Sequence, residues 1–253
     1  MKVSVVTVCF RAESTVAEAA KSVLSQKGVD LEYIIIDGAS DDGTLEALEP
    51  LKPQISLLVS EPDRGLYDAM NKGLAQASGE LITFLNADDF YTDPHVLSDV
   101  VKTFNESSSV AGEPVDGVYA DLDIVHPQHT DQTVRLWRSG TYKPGHFRKG
   151  WMPPHPTLVV KTAAMKTSGG FNLELKSAAD YEFMLRCFHL EHRALAYLPR
   201  TTVRMRAGGV SNSSFKNRLR ANAEDARAWR LNGAQPPWHL RLSKPLRKLS
   251  QFF

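Results

Sequence analysis

Leu81-Ile82-Thr83-Phe84-Leu85-Asn86-Ala87-Asp88-Asp89 runs five residues of strand character straight into two adjacent carboxylates. A short apolar run bounded by turn residues is a buried strand. Carboxylates at the end of such a strand are costly to desolvate unless a cation neutralises them. A divalent ion shared with a substrate diphosphate would do so, because hard cations take oxygen ligands and Mg²⁺ is commonly bound together with phosphates. A helix start, with Asp88 or Asp89 capping the segment after Pro94, accounts for the same residues equally well. The neighbouring segments decide between the two.

Upstream, strand and helix patterns alternate. Residues 3–8 are a β-branched run. Thr15 and Glu18 have the spacing of a capping box, with Val16, Ala19, Ala20, Val23 and Leu24 following at helical intervals. Residues 33–36 read as the second strand, 44–51 as a short helix closed near Pro53, and 55–59 as the third strand. A helix over 66–78, ended by a left-handed cap at Gly79, leads into the fourth strand at 81–85. Continuous apolar strands alternating with helices predict an α/β fold, its sheet mostly parallel with helices on both faces and right-handed connections.

After Pro94 the rhythm changes. A helix (96–104) and a polar stretch (105–114) precede strands at 118–125, 133–137 and 158–161. Between them 142–156 is a long loop rich in Gly, Pro, His and Trp, and long loops in compact domains are commonly functional. An amphipathic helix (178–189), an edge strand (194–205) and a helix (217–231) complete the pattern, and no internal repeat is present.

The 253 residues suffice for one large domain, or one domain with an appendage. A hydrophobic fraction of 42% and a charged fraction of 23% exclude disordered and collagen-like classes. The net charge of +1 is unevenly spread: from Arg200 onward twelve Lys/Arg face only Glu224 and Asp225, a balance of +10, which leaves about −9 for the first 199 residues. A basic end on an acidic body calls for an anionic partner or is a solvated helix surface. Two cysteines, Cys9 and Cys187, make neither a disulfide framework nor a zinc site, which fits a cytosolic chain. The run at 3–10 is better explained as a buried strand than as a signal-peptide core, and no run reaches the ~20 apolar residues that cross a bilayer.

Ligands of open α/β sheets bind beyond the carboxyl ends of the strands. There this sequence places Thr7-Val8-Cys9-Phe10-Arg11, then Asp37-Gly38-Ala39-Ser40-Asp41-Asp42-Gly43-Thr44, then Ser60-Glu61-Pro62-Asp63-Arg64-Gly65, then Asn86-Ala87-Asp88-Asp89. Asp41-Asp42-Gly43 is turn and helix-cap chemistry. Asp37 comes directly off its strand and ranks as a ligand contact. No Gly-x-Gly-x-x-Gly follows the first strand and no Gly-Lys-Ser/Thr loop exists, so phosphates would be held by a metal and side chains rather than by a glycine nest.

Val3-Ser4-Val5-Val6-Thr7-Val8, the segment from Asp37 to Thr44, Glu61-Pro62-Asp63-Arg64-Gly65-Leu66-Tyr67-Asp68-Ala69-Met70-Asn71-Lys72-Gly73 and Asn86-Ala87-Asp88-Asp89 together resemble the family 2 glycosyltransferases, most nearly the bacterial exopolysaccharide branch with its colanic-acid-type transferases. The likeness spans 1 to about 211, and 63–73 is its specific part. It implies a GT-A fold, a nucleotide-diphosphate sugar donor, Mg²⁺ or Mn²⁺, and inversion at the anomeric carbon. It assigns donor contacts to Thr7, Asp37, which would accept from the base, and Arg64, which would border the nucleotide. Asp88 becomes the metal ligand, flanked by Asn86 and Asp89; the family often has an acid where this chain has Asn86.

The same resemblance makes Ser177-Ala178-Ala179-Asp180-Tyr181-Glu182-Phe183 the segment of the general base, with Asp180 the base and Glu182 the fallback. Read from the residues alone, Asp180 opens an otherwise apolar helix face, where it is either a base or a carboxylate favoured by the helix dipole. On the acceptor side stand His155 and Trp151, the first a diphosphate or acceptor contact or a loop histidine, the second a sugar-stacking platform or a hydrophobic loop anchor. Arg206, with Arg204 and Gly208-Gly209-Val210-Ser211, resembles the family's closing segment.

The catalytic domain is expected over 1–212, its nucleotide-binding half about 1–90 and its acceptor half about 91–212, with 213–253 a basic helical tail. Residues 238–253 mix aromatics, leucines and four basic residues, the composition of a membrane-surface segment, although packing of the leucines on the domain fits as well. The acceptor implied by the resemblance is a saccharide, free or linked to a polyprenyl diphosphate, which places the chain in the cytoplasm and at the inner face of the cell membrane. No nucleic-acid module is recognisable. Two rivals remain: a non-catalytic carbohydrate- or nucleotide-binding module on the same scaffold, and a sugar nucleotidyltransferase. The latter would want a glycine-rich basic loop where Cys9-Phe10-Arg11-Ala12-Glu13 stands.

Overall fold

The computed structural model describes residues 1–107, 112, 114–208 and 215–240. Four strands, β1 (Lys2–Cys9), β2 (Asp30–Asp37), β3 (Leu57–Ser60) and β4 (Leu81–Phe84), form the parallel half of one sheet in the order β3-β2-β1-β4. Helices α1 (Val16–Leu24), α2 (Thr44–Leu48) and α3 (Leu66–Gln76) connect them, as the alternating pattern predicts.

The sheet continues past β4 with β5 (Asp89–Tyr91), β6 (Gly117–Val125), β7 (Thr133–Trp137), β8 (Val159–Lys161) and β9 (Leu195–Arg206). Here β4 pairs antiparallel with β8, β8 with β6, and β5 with β9, while β6 and β9 run parallel and β7 lies along the end of β6. The whole is therefore a mixed sheet: the first half is all parallel as expected, and the second half adds antiparallel pairs around the one parallel pair β6–β9. β9 is no edge strand; it lies between β6 and β5. β5, which the sequence pattern does not reveal, consists of the acidic turn itself entering the sheet.

The apolar strands are continuous because both faces are covered. On β1, Val6 and Val8 enter the core formed with α3 and the C-terminal half, whereas Val3, Val5 and Cys9 enter the core under α1 and α4 (Val96–Glu106). Two glycines are fixed by close approach. A β-carbon on Gly73 of α3 would overlap the Val6 side chain, so the helix sits directly on β1. Gly79 does not form the expected left-handed cap; a β-carbon there would lie 2.6 Å from Ser4 Oγ and 2.8 Å from Ser4 N. The capping box is also absent. Thr15 makes no side-chain cap to α1, and Glu18 is taken by Arg206 instead.

The expected helix at 178–189 is α6 (Ala179–Met184), after α5 (Thr162–Thr167), and widens into a π turn over Leu185–Leu190. The end of helix α7 (Phe215–Leu231), a helix set apart in the sequence as the start of a tail, is built into the core. Trp229 is fully buried and donates its indole N–H to the Tyr181 hydroxyl at 2.9 Å, and Leu240 joins the same cluster. Residues 209–214, 241–253 and part of the polar stretch after α4 lie outside the described residues. Both cysteines are buried and free. No helix among the described residues is long and apolar enough to cross a membrane.

Candidate active site

The carboxyl ends of β1, β2, β3 and β4 open on one edge, and the acidic turn closes its floor. The Asp89 backbone N–H donates to Asn86 O at 3.1 Å, and Asn86 Nδ2 reaches Asp89 Oδ2 at 3.3 Å. Burial pushes the Asp88 carboxyl above its ordinary range. It pushes Asp89, which is fully buried, well above, and the neighbouring Asp88 charge adds to the shift.

Asn86 Oδ1 and Asp89 Oδ1 are both buried without a hydrogen-bond partner among the described residues. Two orphaned oxygens beside carboxyls that resist ionisation are an unmet demand for a cation, and an all-oxygen donor set suits a hard one. Residues Asp88, Asp89 and Asn86 therefore fit a divalent ion, although no cluster of three His, Cys, Asp or Glu side chains converges among the described residues. Such an ion would draw the rest of its shell from substrate and water.

Arg206 lies beneath this turn. Its guanidinium donates to the Asp88 carbonyl at 2.6 Å, pairs with Glu18 and covers the Phe90 ring at 5.1 Å. It thus ties α1 and β9 to the acidic turn.

Asp37 does not face the cleft. It is 0% exposed, and its carboxylate accepts from Ser40 N (3.0 Å), Ser40 Oγ (2.5 Å), Ser60 Oγ (2.6 Å) and the Cys9 thiol (3.6 Å). A carboxylate has about four acceptor sites, so none remains for a ligand. Its work is to lock the ends of β1, β2 and β3 together. Thr7 is likewise buried, its hydroxyl accepting from Tyr33 at 3.0 Å.

Asp63 stands in the space beside Asp37. Its Oδ1 accepts from Gly65 N at 2.7 Å, while Oδ2 lies 2.6 Å from where a β-carbon on Gly38 would be. The Phe10 ring is 3.4 Å from the same point and 59% exposed. Sequence reasoning passed over both residues; the missing side chain at Gly38 was the signal. Arg64 next door is solvent-facing and grips Asp68 through three hydrogen bonds of 2.6–3.2 Å, which start α3.

Across the cleft, Asp180 is half-buried at the start of α6, and Tyr67 donates to its Oδ1 at 3.0 Å. Burial first, and the Asp180 charge second, hold the Tyr67 phenol well above its ordinary range, so it remains a donor. Ring contacts link this pair to the acidic turn: Tyr67 packs on Phe171 at 5.5 Å, and Phe171 on Phe84, the last residue of β4, at 5.2 Å. His155 stacks on Phe84 at 5.9 Å and lies edge-on to Phe171 at 5.6 Å. Burial holds His155 below its ordinary value against the opposing pull of the Asp180 charge, so it is a neutral imidazole.

Packing decides between the readings of Glu182 and Trp151. Glu182 is structural: it is buried, bridged to Arg186 by bonds of 2.8 and 3.0 Å, and accepts from Asn232 at 2.8 Å. Trp151 is only 4% exposed, bonds to the Ser139 carbonyl at 2.9 Å and packs among Tyr119, Tyr142 and Phe147. It anchors the long loop and offers no face to a sugar.

The chain has relatives among known proteins. An uncharacterised glycosyltransferase of Mycobacterium tuberculosis is 32% identical over 73% of this chain and 68% of its own length. A PGL/p-HBAD biosynthesis glycosyltransferase of Mycobacterium bovis is 28% identical over 66% of this chain and 62% of its own. Among solved structures, S. aureus TarS 1–349 in complex with UDP-GlcNAc superposes with a TM-score of 0.69 at 20% identity, covering 99% of this chain and 73% of that one. Mannosyltransferase PcManGT from Pyrobaculum calidifontis in complex with GDP-Man and Mn²⁺ gives 0.68 at 19% identity, over 98% and 72%. These establish a GT-A-like fold. The family model Glycosyl transferase family 2 matches residues 4–164, from β1 through the acidic turn into α5, and the chain belongs to that family.

Proposed function

We propose that this chain is an inverting glycosyltransferase that takes a hexose from a nucleotide-diphosphate donor and passes it to a saccharide hydroxyl, in the assembly of bacterial surface polysaccharide or glycolipid. The observation that carries this reading is the Tyr67–Asp180 hydrogen bond, which sets a half-buried carboxylate across the cleft from the acidic turn.

In the reaction, the Asp180 carboxylate takes the proton of the acceptor hydroxyl as that oxygen bonds to the anomeric carbon. The bond from that carbon to the diphosphate breaks on the opposite face, and its electron pair leaves with the nucleoside diphosphate. Tyr67 fixes the carboxylate, and neutral His155 beside it adds no competing charge. Asp88, flanked by Asp89 and Asn86, would hold Mg²⁺ or Mn²⁺, whose charge offsets that of the leaving diphosphate when bound. Arg206 keeps that turn in place from below.

The donor base enters between Phe10 and Gly38. Asp63 Oδ2, open above Gly38, accepts from the base, and we assign it the N3–H of uracil. The TarS complex holds a UDP-sugar on the same fold. The acceptor is a saccharide on a polyprenyl diphosphate, met at the cytoplasmic surface of the membrane. Titrating the protein with UDP- and GDP-sugars in the presence of Mn²⁺ tests the donor assignment. Selective binding of a UDP-sugar and turnover that disappears in Asp180→Asn support it; preference for a GDP-sugar removes the base assignment, and turnover by Asp180→Asn removes the mechanism.

A further inference from the structure

Two segments that are far apart in sequence meet on the outer wall of the acceptor half. The short turn Phe147–Lys149 buries Phe147 and leaves Arg148 and Lys149 exposed, with Lys143 exposed just upstream. Against it lies the chain after α7. His239 Nε2 is 3.0 Å from the Arg148 carbonyl, and Pro237 and Leu240 are buried on either side. Between these anchors Trp238 stands 89% exposed, its ring edge-on to His239 at 5.3 Å.

A tryptophan gripped on both sides yet presented to solvent gains nothing from the fold. Among the described residues Lys143, Arg148 and Lys149 form no ion pair, and the neighbouring His189 is held below its ordinary value by burial and then by Arg148 and His192. The chain then runs into Arg241, Lys244, Arg247 and Lys248, whose placement lies outside the described residues. An exposed amphipathic ring beside a turn with exposed cations is the composition of a headgroup-level anchor.

We propose that Trp238, Lys143, Arg148 and Lys149 form a docking surface for an anionic lipid bilayer, with Trp238 inserted at headgroup depth and the basic residues on lipid phosphates. The surface is coupled to the site. Arg148 covers Trp229 at 5.7 Å, and Trp229 bonds to Tyr181, the neighbour of Asp180. A membrane at this face would therefore bring a lipid-linked acceptor to the wall that carries the base. The inference takes only the acceptor's location from the proposed function, and vesicle binding needs neither donor nor turnover, so either can fail alone.

The test is co-sedimentation of the full chain with phosphatidylcholine vesicles, with and without phosphatidylglycerol. Binding is expected to the anionic vesicles only and to be reversed by high salt, as screening requires. The pair Lys143→Gln and Lys149→Gln, which touches no packed group, should lower the partition coefficient about 25-fold, at about fivefold per lost charge. Trp238→Ala should lower it further, with the thermal midpoint unchanged for all three substitutions. A chain ending at Leu240 should retain part of the binding. Wild-type-like partition of the triple variant, complete loss in the chain ending at Leu240, or equal retention on single-stranded RNA at the same salt would each overturn the proposal.

Discussion

The Tyr67 hydroxyl donates a 3.0 Å hydrogen bond to Asp180 Oδ1 across 113 positions of sequence. Tyr67 belongs to the first turn of α3, within the span of the Arg64–Asp68 clasp, so the segment proposed to border the donor also aims the group proposed to activate the acceptor. Tyr67→Phe should lower kcat about tenfold with donor affinity unchanged, the scale of a hydrogen bond to a charged group. Asp180→Asn should lower it by ~10²–10⁴. The double variant should be no slower than Asp180→Asn alone, because the tyrosine acts only through the carboxylate; additive losses would assign Tyr67 a separate role.

The acidic turn should trade stability for cation binding. Asp89 has its folded pKa raised by burial and then by the Asp88 charge. Its contribution is thus most favourable at low pH and declines as pH rises through the folded value. In the absence of divalent ions, Asp89→Asn should raise the melting temperature at pH 8 and have little effect at pH 4, while donor binding is lost. Mn²⁺ should stabilise the wild type and not Asp88→Ala. Equal Mn²⁺ stabilisation of both proteins would place the ion elsewhere, and full turnover in EDTA would take it out of the reaction.

Base selection should reside in Asp63 rather than Asp37. Asp63→Asn should weaken UDP binding about tenfold or more, because a charged acceptor is lost, and leave the melting temperature nearly unchanged. Asp37→Asn should instead destabilise the fold, since it strips charge from a carboxylate that four donors surround. Calorimetric titration and thermal melts on the two variants separate these roles; the reverse pattern returns the base contact to Asp37.

Glu32 makes a further pH test outside the site. Burial would raise its pKa, but hydrogen bonds from Lys2, Ser4 and Ser78 outweigh that and hold it down at about 2. A depressed carboxylate contributes stability that is present above the ordinary glutamate range and lost as pH falls toward the folded value. Glu32→Gln should therefore cost on the order of 2–3 kcal/mol at pH 7 and much less near pH 2. A mutational loss independent of pH would mean that shape, not charge, is what Glu32 supplies.

The sequence by itself determined the parallel half of the sheet, its helices, the edge where ligands bind and the acidic turn, because each follows from local periodicity and turn chemistry. Thus the apolar runs that became β1, β2 and β4 were legible, and so was Asp180 at the start of a helix. Tertiary structure alone decided which carboxylates are free. Asp37 and Asp63 look alike in sequence as acids following strands, yet one is enclosed by Ser40, Ser60 and Cys9 while the other keeps an oxygen open above Gly38. Trp151 and Trp238 each had two readings in the sequence, and only the tertiary structure chose: the loop tryptophan is buried as an anchor and the tail tryptophan exposed. Glu18 and Arg206, read as a helix cap and an acceptor contact, are paired across 188 positions. Burial and hydrogen-bond occupancy are set by segments far away in the chain, and it is these, not residue type, that leave a polar group available to a ligand.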